Sequence, residues 1–324
     1  CSNETLQYGM CWGYSVCGFC YGYLDEGQST ASSTYDHFNL VVIGVLLPLI
    51  GLLGLVGDCL SAFVYSRREM HSSLNVYLCA LAFSDIIIIL TSFFLFFLEN
   101  MRKRSLRATT TFALLAPFMF PLGLTAQSLS VFLTVTAAFD CFILVAASPK
   151  MLVVIILLAM MYNAPHLFEI YVIDCWSLPY KQPSKDVCPT ELRTDSVYVS
   201  IYYAWMYTIV MAGGPFVLLI ILNSGMVTII VIIRRKGEEA ESSDGDVTTL
   251  VLVVCLFVTC NILPLTVNLL EMVMSLENPY LIDLSNLMVV LNSSCNFLIY
   301  YTFSSSFRRT LKNHMRHLVM DMRD

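Results

Sequence analysis

The stretch that decides the fold is Leu81-Ala82-Phe83-Ser84-Asp85, inside an apolar run from Asn75 to Leu98 in which Asp85 is the only formal charge. At about 1.5 Å per residue, a helix of that run is about 36 Å long and can cross a bilayer. A carboxylate near its middle is costly in lipid, so it should face other helices or a water-filled cavity. Matching polar groups occur in three other apolar runs: Asp58, Ser130, and the cluster Asn292, Ser293 and Asn296. The pattern predicts a helical membrane bundle around one buried polar centre.

Composition supports a membrane protein. The 324 residues are 57% apolar and 13% charged, with a mean hydropathy of +0.72, which argues against a soluble globular protein. The net charge of −6 is spread out, and no basic tract is long enough to indicate a nucleic-acid partner. No nucleophile–base set or phosphate-binding loop is present, so we do not expect an enzyme.

Seven apolar runs are long enough to span a bilayer, and several end at charged residues. They are residues 38–65, 75–98, 109–146, 151–168, 199–233, 247–274 and 280–303. In the tail, apolar Phe307, Leu311 and Leu318 alternate with basic residues, which is typical of an amphipathic helix on a membrane surface. The predicted fold is an all-α membrane protein, a seven-transmembrane helix bundle with a short amphipathic C-terminal helix. Its segments are an extracellular part (1–37), the bundle (38–303) and a cytosolic tail (304–324).

The charges give the orientation. With the N-terminus outside, eleven Lys and Arg residues fall inside and seven outside, in the sense of the positive-inside rule. The basic loop after the second run, with Arg102, Lys103, Arg104 and Arg107, goes against the rule. We therefore expect a multi-pass plasma-membrane protein with its N-terminus outside. The chain begins with Cys, so we expect a signal peptide to have been removed, and Asn3 is a glycosylation acceptor.

The twelve cysteines divide by predicted side. Outside lie Cys1, Cys11, Cys17, Cys20, Cys175 and Cys188. Six such cysteines allow three disulfides in fifteen possible pairings. The other six lie in apolar runs or at their cytosolic ends, where reduced packing residues are expected.

At this point the motifs resemble those of the rhodopsin-like G-protein-coupled receptors, and most closely the invertebrate FMRFamide-peptide receptors. The resemblance runs from about Gly51 to Arg309. It rests on these motifs: Ser66 to Met70, Asn75 to Leu78, Leu81 to Asp85, Thr125-Ala126-Gln127 with Ser130-Val131, Pro189 to Arg193, Pro215 with Asn223, Cys260-Asn261-Ile262-Leu263-Pro264, Asn292-Ser293-Ser294, and Asn296 to Tyr300. It implies an extracellular amidated peptide, a heterotrimeric G protein and the lipid bilayer as partners.

Several positions depart from the family pattern. The acid-Arg-aromatic triplet of the third helix reads Asp140-Cys141-Phe142, so the arginine is missing. Asp58 replaces an asparagine, and Phe297 replaces a proline. The link between helices three and four is short, which leaves a real deletion and a faulty gene model both open. The third helix offers no cysteine for the family's usual disulfide, so we expect Cys175 and Cys188 to bridge within their own loop and the N-terminal cysteines to pair among themselves.

The resemblance also implies a sodium site. Asp85, Ser130, Asn292, Ser293 and Asn296 occupy positions that hold sodium in related receptors. A hard cation prefers several oxygens and a carboxylate. The alternative is a protonated, hydrogen-bonded Asp85 without an ion. Asp58 could share a proton with Asp85 and alter the charge of the site. No other cofactor is expected.

For the ligand, a carboxylate is the natural partner of the arginine in an Arg-Phe-amide peptide. The candidate acids are Glu271 and Glu169, followed by Glu99, although most acids at this rim should be merely solvated. Gln127, Tyr202 and Trp205 are further candidates, with membrane-interface anchoring as the alternative role of the two aromatics.

For coupling to a G protein, the candidates are Asp140, Cys141, Asn223, Pro264 and Tyr300. The leading hypothesis is a neuropeptide receptor with atypical coupling, since Cys141 cannot supply a cationic fork. A decoy or scavenger receptor that only binds is the first alternative. A seven-helix transporter is more remote because no internal repeat is visible.

Overall fold

The computed structural model describes residues 30–70, 72–102, 105–143, 149–177, 181–235, 243–274, 276 and 278–321. Within them, seven helices are long and apolar enough to cross a membrane. They run Thr34–Tyr65, Leu74–Arg102, Leu106–Ile143, Lys150–Phe168, Ser196–Ile232, Val247–Met274 and Pro279–Phe303. We call them the first to seventh helices. The seven predicted spans are confirmed, and their bounds differ from the prediction by a few residues.

Several helices change type along their length. The α-helical parts are Thr30–Val41, Leu47–Tyr65, Ser73–Ser92, Leu98–Arg102, Leu106–Ile143, Pro149–Asn163, Glu191–Thr194, Ser196–Tyr198, Gly214–Arg235, Ser243–Met274, Pro279–Phe303 and Ser305–Asp321. Wider π-helical turns occupy Val42–Leu46, Phe93–Phe97 and Val199–Gly213, and 3₁₀ turns occupy Arg68–Met70 and Ala164–Phe168. Such irregular turns are frequent at functional sites.

The helix ends follow local chemistry. Ser72 caps the second helix, its side chain accepting a hydrogen bond from the Asn75 backbone N–H. Asn278 caps the seventh helix in the same way, with a proline at the helix start. The fourth helix tightens into a 3₁₀ turn at Ala164–Phe168, where proline removes a backbone donor. Residues 144–148, which hold most of the short link between helices three and four, lie outside the described residues.

A β-hairpin was not predicted. Strands β1 (Ile170–Ser177) and β2 (Gln182–Pro189) pair antiparallel between the fourth and fifth helices. We call the end of the bundle that carries them the hairpin end, and the other the tail end. The sequence of β2, with two prolines and alternating charge, gives no clean strand periodicity.

Buried apolar clusters hold the bundle together. The largest joins the second, third, fourth, fifth and sixth helices around Leu133, Leu219 and Val254. The first and seventh helices approach very closely, since a Cβ added at Gly57 would lie 2.7 Å from the Cβ of Phe297. Many large apolar side chains remain exposed on the outer faces of the helices, as expected where lipid is the solvent.

The last helix, Ser305–Asp321, begins directly after the seventh helix. Phe307 is fully buried, and its ring packs against those of Tyr65, Phe297 and Tyr300. Leu311 belongs to the same buried cluster. The predicted tail helix is therefore present and docked on the tail end of the bundle.

Candidate functional site

A large cavity opens at the hairpin end. Its volume is about 1370 Å³, larger than the 300–1,000 Å³ or so typical of small-molecule pockets. Its walls come from helices two to seven and from the hairpin. The lining includes Phe96, Glu99, Phe120, Gln127, Asn163, His166, Arg193, Tyr202, Tyr203, Trp205, Tyr207, Asn268, Glu271 and Asn286. The size and the mixed aromatic and polar lining suit a short peptide.

Five of the six predicted ligand residues line this cavity: Glu99, Gln127, Tyr202, Trp205 and Glu271. Tyr202 is buried, and its hydroxyl donates to the carbonyl of Tyr162. Trp205 is 58% exposed, which is compatible with both the ligand-contact role and the interface-anchor alternative. Which of these five touch a ligand stays a prediction.

The two cavity acids differ in their partners. Glu99 forms an ion pair of 3.7 Å with Arg102, which also lies 3.2 Å from Asp186 on the hairpin. The side chain of Glu271 is exposed and forms no ion pair or hydrogen bond with any residue that the structure describes. It is therefore the cavity carboxylate that is free to receive a cationic ligand group.

Glu169, the sixth predicted ligand residue, does not line the cavity. Its side chain is fully buried behind the wall, and both carboxylate oxygens are occupied. His166 Nδ1 lies 2.8 Å from Oε1, and the Tyr198 hydroxyl donates to the same oxygen at 2.6 Å. Arg193 donates to Oε2 at 3.1 Å, and the Tyr203 hydroxyl donates there as well. This burial argues against direct ligand contact for Glu169.

The charge of Glu169 follows from these contacts. Burial by itself raises the pKa of a carboxyl group. Hydrogen bonds from His166 and Tyr198 and the neighbouring guanidinium of Arg193 outweigh that effect and hold the pKa of Glu169 below its usual range. Glu169 is therefore an ionised carboxylate behind the cavity wall at neutral pH.

Deeper in the bundle, the predicted polar centre is present. Asp85 is fully buried and accepts a hydrogen bond of 2.7 Å from Asn296. A void of about 60 Å³ is lined by Ser130, Asn292 and Ser293 among others, whereas Asp85 and Asn296 are not among its lining residues. About 10–15 Å³ of such volume holds one water, so the void has room for an ion with water.

Unpartnered oxygens surround this centre. Asp85 Oδ1, Asn296 Oδ1 and both carboxylate oxygens of Asp58 are buried and have no hydrogen-bond partner among the described residues. Buried polar atoms are costly unless something satisfies them. An all-oxygen donor set with a carboxylate is what a sodium ion prefers, so the residues present fit the predicted ion.

The hairpin corrects one predicted disulfide. Both Cys175 and Cys188 are disulfide-bonded, but Cys175 pairs in register with Ser184, and Cys188 lies four residues further along β2. That offset separates the two cysteines by about 13 Å, whereas bonded cysteines have Cα atoms within about 7 Å. The prediction of a bridge between them is therefore wrong: a hairpin register, not a flexible loop, sets their separation.

We expect non-reducing peptide mapping to join Cys175 and Cys188 each to one of Cys1, Cys11, Cys17 and Cys20. The other six cysteines of the described residues are free, which leaves these four as candidates. Like the acceptor Asn3, they lie outside the described residues. A peptide linking Cys175 directly to Cys188 would contradict both the register and this expectation.

At the tail end, Asp140 has a partner that the sequence did not indicate. The hydroxyl of Tyr77, a buried residue of the second helix, donates to Asp140 at 2.6 Å. Cys141, next in the chain, is half-buried against the main apolar cluster. Asp140, which lacks the family's arginine beside it, is thus satisfied by a neutral donor from a neighbouring helix.

The other predicted coupling residues lie nearby or between the two ends. Asn223 of the fifth helix donates to the Val251 carbonyl of the sixth helix at 3.4 Å. Tyr300 is fully buried, and its hydroxyl has no hydrogen-bond partner among the described residues. Pro264 lies inside the sixth helix and lines the small void. The arrangement places Pro264 next to the polar centre and Tyr300 between it and the tail end.

Sequence reasoning missed His166, Arg193, Tyr198 and Tyr203 around Glu169, and Tyr77 beside Asp140. Arg193 belongs to the quoted motif Pro189 to Arg193, which could have singled it out. His166 lies only three residues before Glu169, a helical spacing that could also have singled it out. The tyrosine contacts join residues 29 to 63 positions apart, so no local pattern indicates them.

Known proteins resemble the chain along most of its length. A family model described as "7 transmembrane receptor (rhodopsin family)" matches residues 59–300. The "Probable G-protein coupled receptor frpr-1" of Caenorhabditis elegans is 58% identical over 344 aligned residues, covering 98% of this chain and 89% of the relative. The "FMRFamide receptor" of Drosophila melanogaster is 31% identical over 85% of this chain and 54% of its own length. The "FMRFamide peptide receptor frpr-18" of Caenorhabditis elegans is 28% identical over 81% of this chain and 66% of its own length.

Proposed function

Because this chain belongs to the rhodopsin family of seven-transmembrane receptors and is of the FMRFamide receptor type, we propose that it binds an extracellular RFamide-like neuropeptide at the plasma membrane and signals through a heterotrimeric G protein. The N-terminus and the hairpin end face outside, and the tail end faces the G protein. The observation that carries the ligand class is the large hairpin-end cavity with the unpaired carboxylate of Glu271. A carboxylate at the mouth of an aromatic cavity complements an arginine followed by phenylalanine.

The test is a screen of amidated peptides against cells that express the chain, with binding and nucleotide exchange measured together. We expect at least one peptide ending in Arg-Phe-amide to bind saturably. The charge of its arginine should contribute to binding. The same peptide with citrulline in place of arginine keeps the shape but loses the charge, so it should bind more weakly. Saturable binding only by peptides without a basic residue would contradict the proposed ligand class.

Coupling is proposed to be weak, because Cys141 stands where the family has an arginine. A neutral thiol supplies no cationic fork to a G protein. A second candidate function, a receptor that binds without coupling, draws on the same observation and on the Tyr77–Asp140 hydrogen bond of 2.6 Å. Peptide binding without any nucleotide exchange would favour that second function.

A sodium ion is proposed for the polar centre. Asp85, Ser130, Asn292, Ser293 and Asn296 would hold it, and the ion would supply the positive charge that the buried carboxylate lacks. Ligands that bind only the folded state stabilise it. Replacing choline chloride by sodium chloride at equal ionic strength should therefore raise the melting temperature of the solubilised chain by a few degrees.

The sodium-dependent shift should vanish in the Asp85→Asn variant, which removes the carboxylate with little change in shape. Asp58→Asn is the matched variant, because Asp58 is equally buried but its carboxylate has no hydrogen bond to Asn296 or to any other described residue. It should keep the shift if Asp85 is the charged ligand. An undiminished shift in Asp85→Asn would refute a sodium site at this centre.

A further inference from the structure

Arg193 is the one Lys or Arg side chain among the described residues that line the large cavity. It lies in the short helix Glu191–Thr194, between the hairpin and the fifth helix. Its side chain is 36% exposed, and its guanidinium lies 3.9 Å from the ring centroid of Tyr203. This cation–π contact holds the guanidinium beside the cavity.

Several N–H donors of the Arg193 guanidinium are unused. Only Nη1 contacts Glu169, at 3.1 Å, so the bond is single rather than a two-pronged fork. Arg193 makes no other hydrogen bond to a described residue, and an arginine carries five N–H donors. The free donors lie at the cavity wall, where a ligand oxygen can accept them.

The charge of this arginine is already balanced. Glu169 is fully buried and ionised, and it is held against Arg193 by three other donors, His166, Tyr198 and Tyr203. A guanidinium with its charge neutralised can still donate hydrogen bonds but attracts an anion less strongly. The exposed acids of the same cavity, Glu99 and Glu271, repel an anion further.

We propose that Arg193, with its charge neutralised by the buried Glu169, forms a subsite for a neutral carbonyl oxygen at the C-terminus of the ligand, so that Glu169 makes the receptor choose an amidated peptide over the free acid. This inference rests on the proposed peptide-binding function. Glu169 acts as a positioning and charge-compensating residue and does not touch the peptide.

The test uses FMRFamide and the same tetrapeptide with a free carboxylate, measured for binding to the full-length chain at the cell surface. The wild type should bind the amide at least about tenfold more tightly than the free acid, which corresponds to a difference in binding free energy of about 1.4 kcal/mol. In Glu169→Gln, the charge of Arg193 is no longer compensated, so the free acid should bind more tightly. The ratio of amide affinity to acid affinity should therefore fall by about tenfold. A purely structural role would weaken both peptides alike and leave their ratio unchanged.

Two further variants sharpen the result. Arg193→Gln should weaken the amide by about tenfold, because it removes charge-assisted donors. Glu191→Gln changes the net charge by the same amount as Glu169→Gln. Glu191 lies on the same short helix as Arg193 but forms no ion pair or side-chain hydrogen bond with it. Glu191→Gln should keep the wild-type ratio.

The possible outcomes distinguish failure of the Arg193 subsite from failure of the proposed peptide-receptor function. If FMRFamide binds but the amide-to-acid ratio in Glu169→Gln stays within about twofold of wild type, the subsite is refuted and the peptide receptor remains. If Glu169→Gln fails to reach the surface, Arg193→Gln decides, and amide affinity within about threefold of wild type refutes the subsite. If wild-type chains at the surface bind neither peptide, the proposed function fails for this ligand and the subsite fails with it.

Discussion

Replacing Glu271 by glutamine is expected to weaken binding of an Arg-Phe-amide peptide by about 30-fold to several-thousand-fold. That range corresponds to about 2–5 kcal/mol, the usual cost of removing one partner from a charge pair that loses its water on binding. Glu271 lines the cavity without any partner among the described residues, so its carboxylate is available to the ligand. The measurement is competition binding at the cell surface.

Glu99→Gln is the matched control for Glu271→Gln. Glu99 lines the same cavity but is already paired with Arg102 at 3.7 Å and half exposed, so its loss should change affinity far less. A double-mutant cycle with the citrulline peptide assigns the contact, because Glu271→Gln and loss of the peptide charge should be strongly non-additive. If Glu271→Gln leaves affinity within about threefold, the peptide arginine binds elsewhere.

The seven helices could be predicted from sequence because each one satisfies a local physical requirement. Every lipid-crossing segment must be apolar for about 20 residues and must satisfy its own backbone. The seven runs were therefore visible one at a time, and so was the isolated charge of Asp85. The polar centre followed because a lone carboxylate in each of two such helices has to meet other polar groups.

The hairpin and the cavity wall could not be predicted in the same way. The segment Gln182–Pro189 mixes charges, prolines and a cysteine, so its pairing comes from the neighbouring strand rather than from its own pattern. Glu169 looked like any other acid near a helix top. Its burial depends on His166, Arg193 and two tyrosines that converge from three separate segments. The order of residues in the sequence does not indicate that these segments meet in the fold.

Cys141→Arg is expected to raise agonist-driven nucleotide exchange by about tenfold, the effect of one charge-assisted hydrogen bond of about 1.4 kcal/mol. The arginine restores a cationic donor at the tail end, next to Asp140. Peptide affinity should stay within a few-fold. Cys141 lies about 20 Å along the third helix from Ser128, the nearest cavity-lining residue of that helix.

The Tyr77–Asp140 hydrogen bond makes this prediction sharper, because the new arginine has to share Asp140 with Tyr77. Tyr77→Phe removes only the hydroxyl and leaves the buried ring in place. Tyr77→Phe should be introduced both into the wild type and into Cys141→Arg. If the new arginine acts through Asp140, Tyr77→Phe should change the nucleotide-exchange rate by different factors in these two backgrounds. Exchange by the unmodified chain equal to that of Cys141→Arg would show that the cysteine does not impair coupling. Absence of exchange in both forms, with peptide binding intact, would favour the binding-only receptor, because restoring the family's arginine would then have restored nothing.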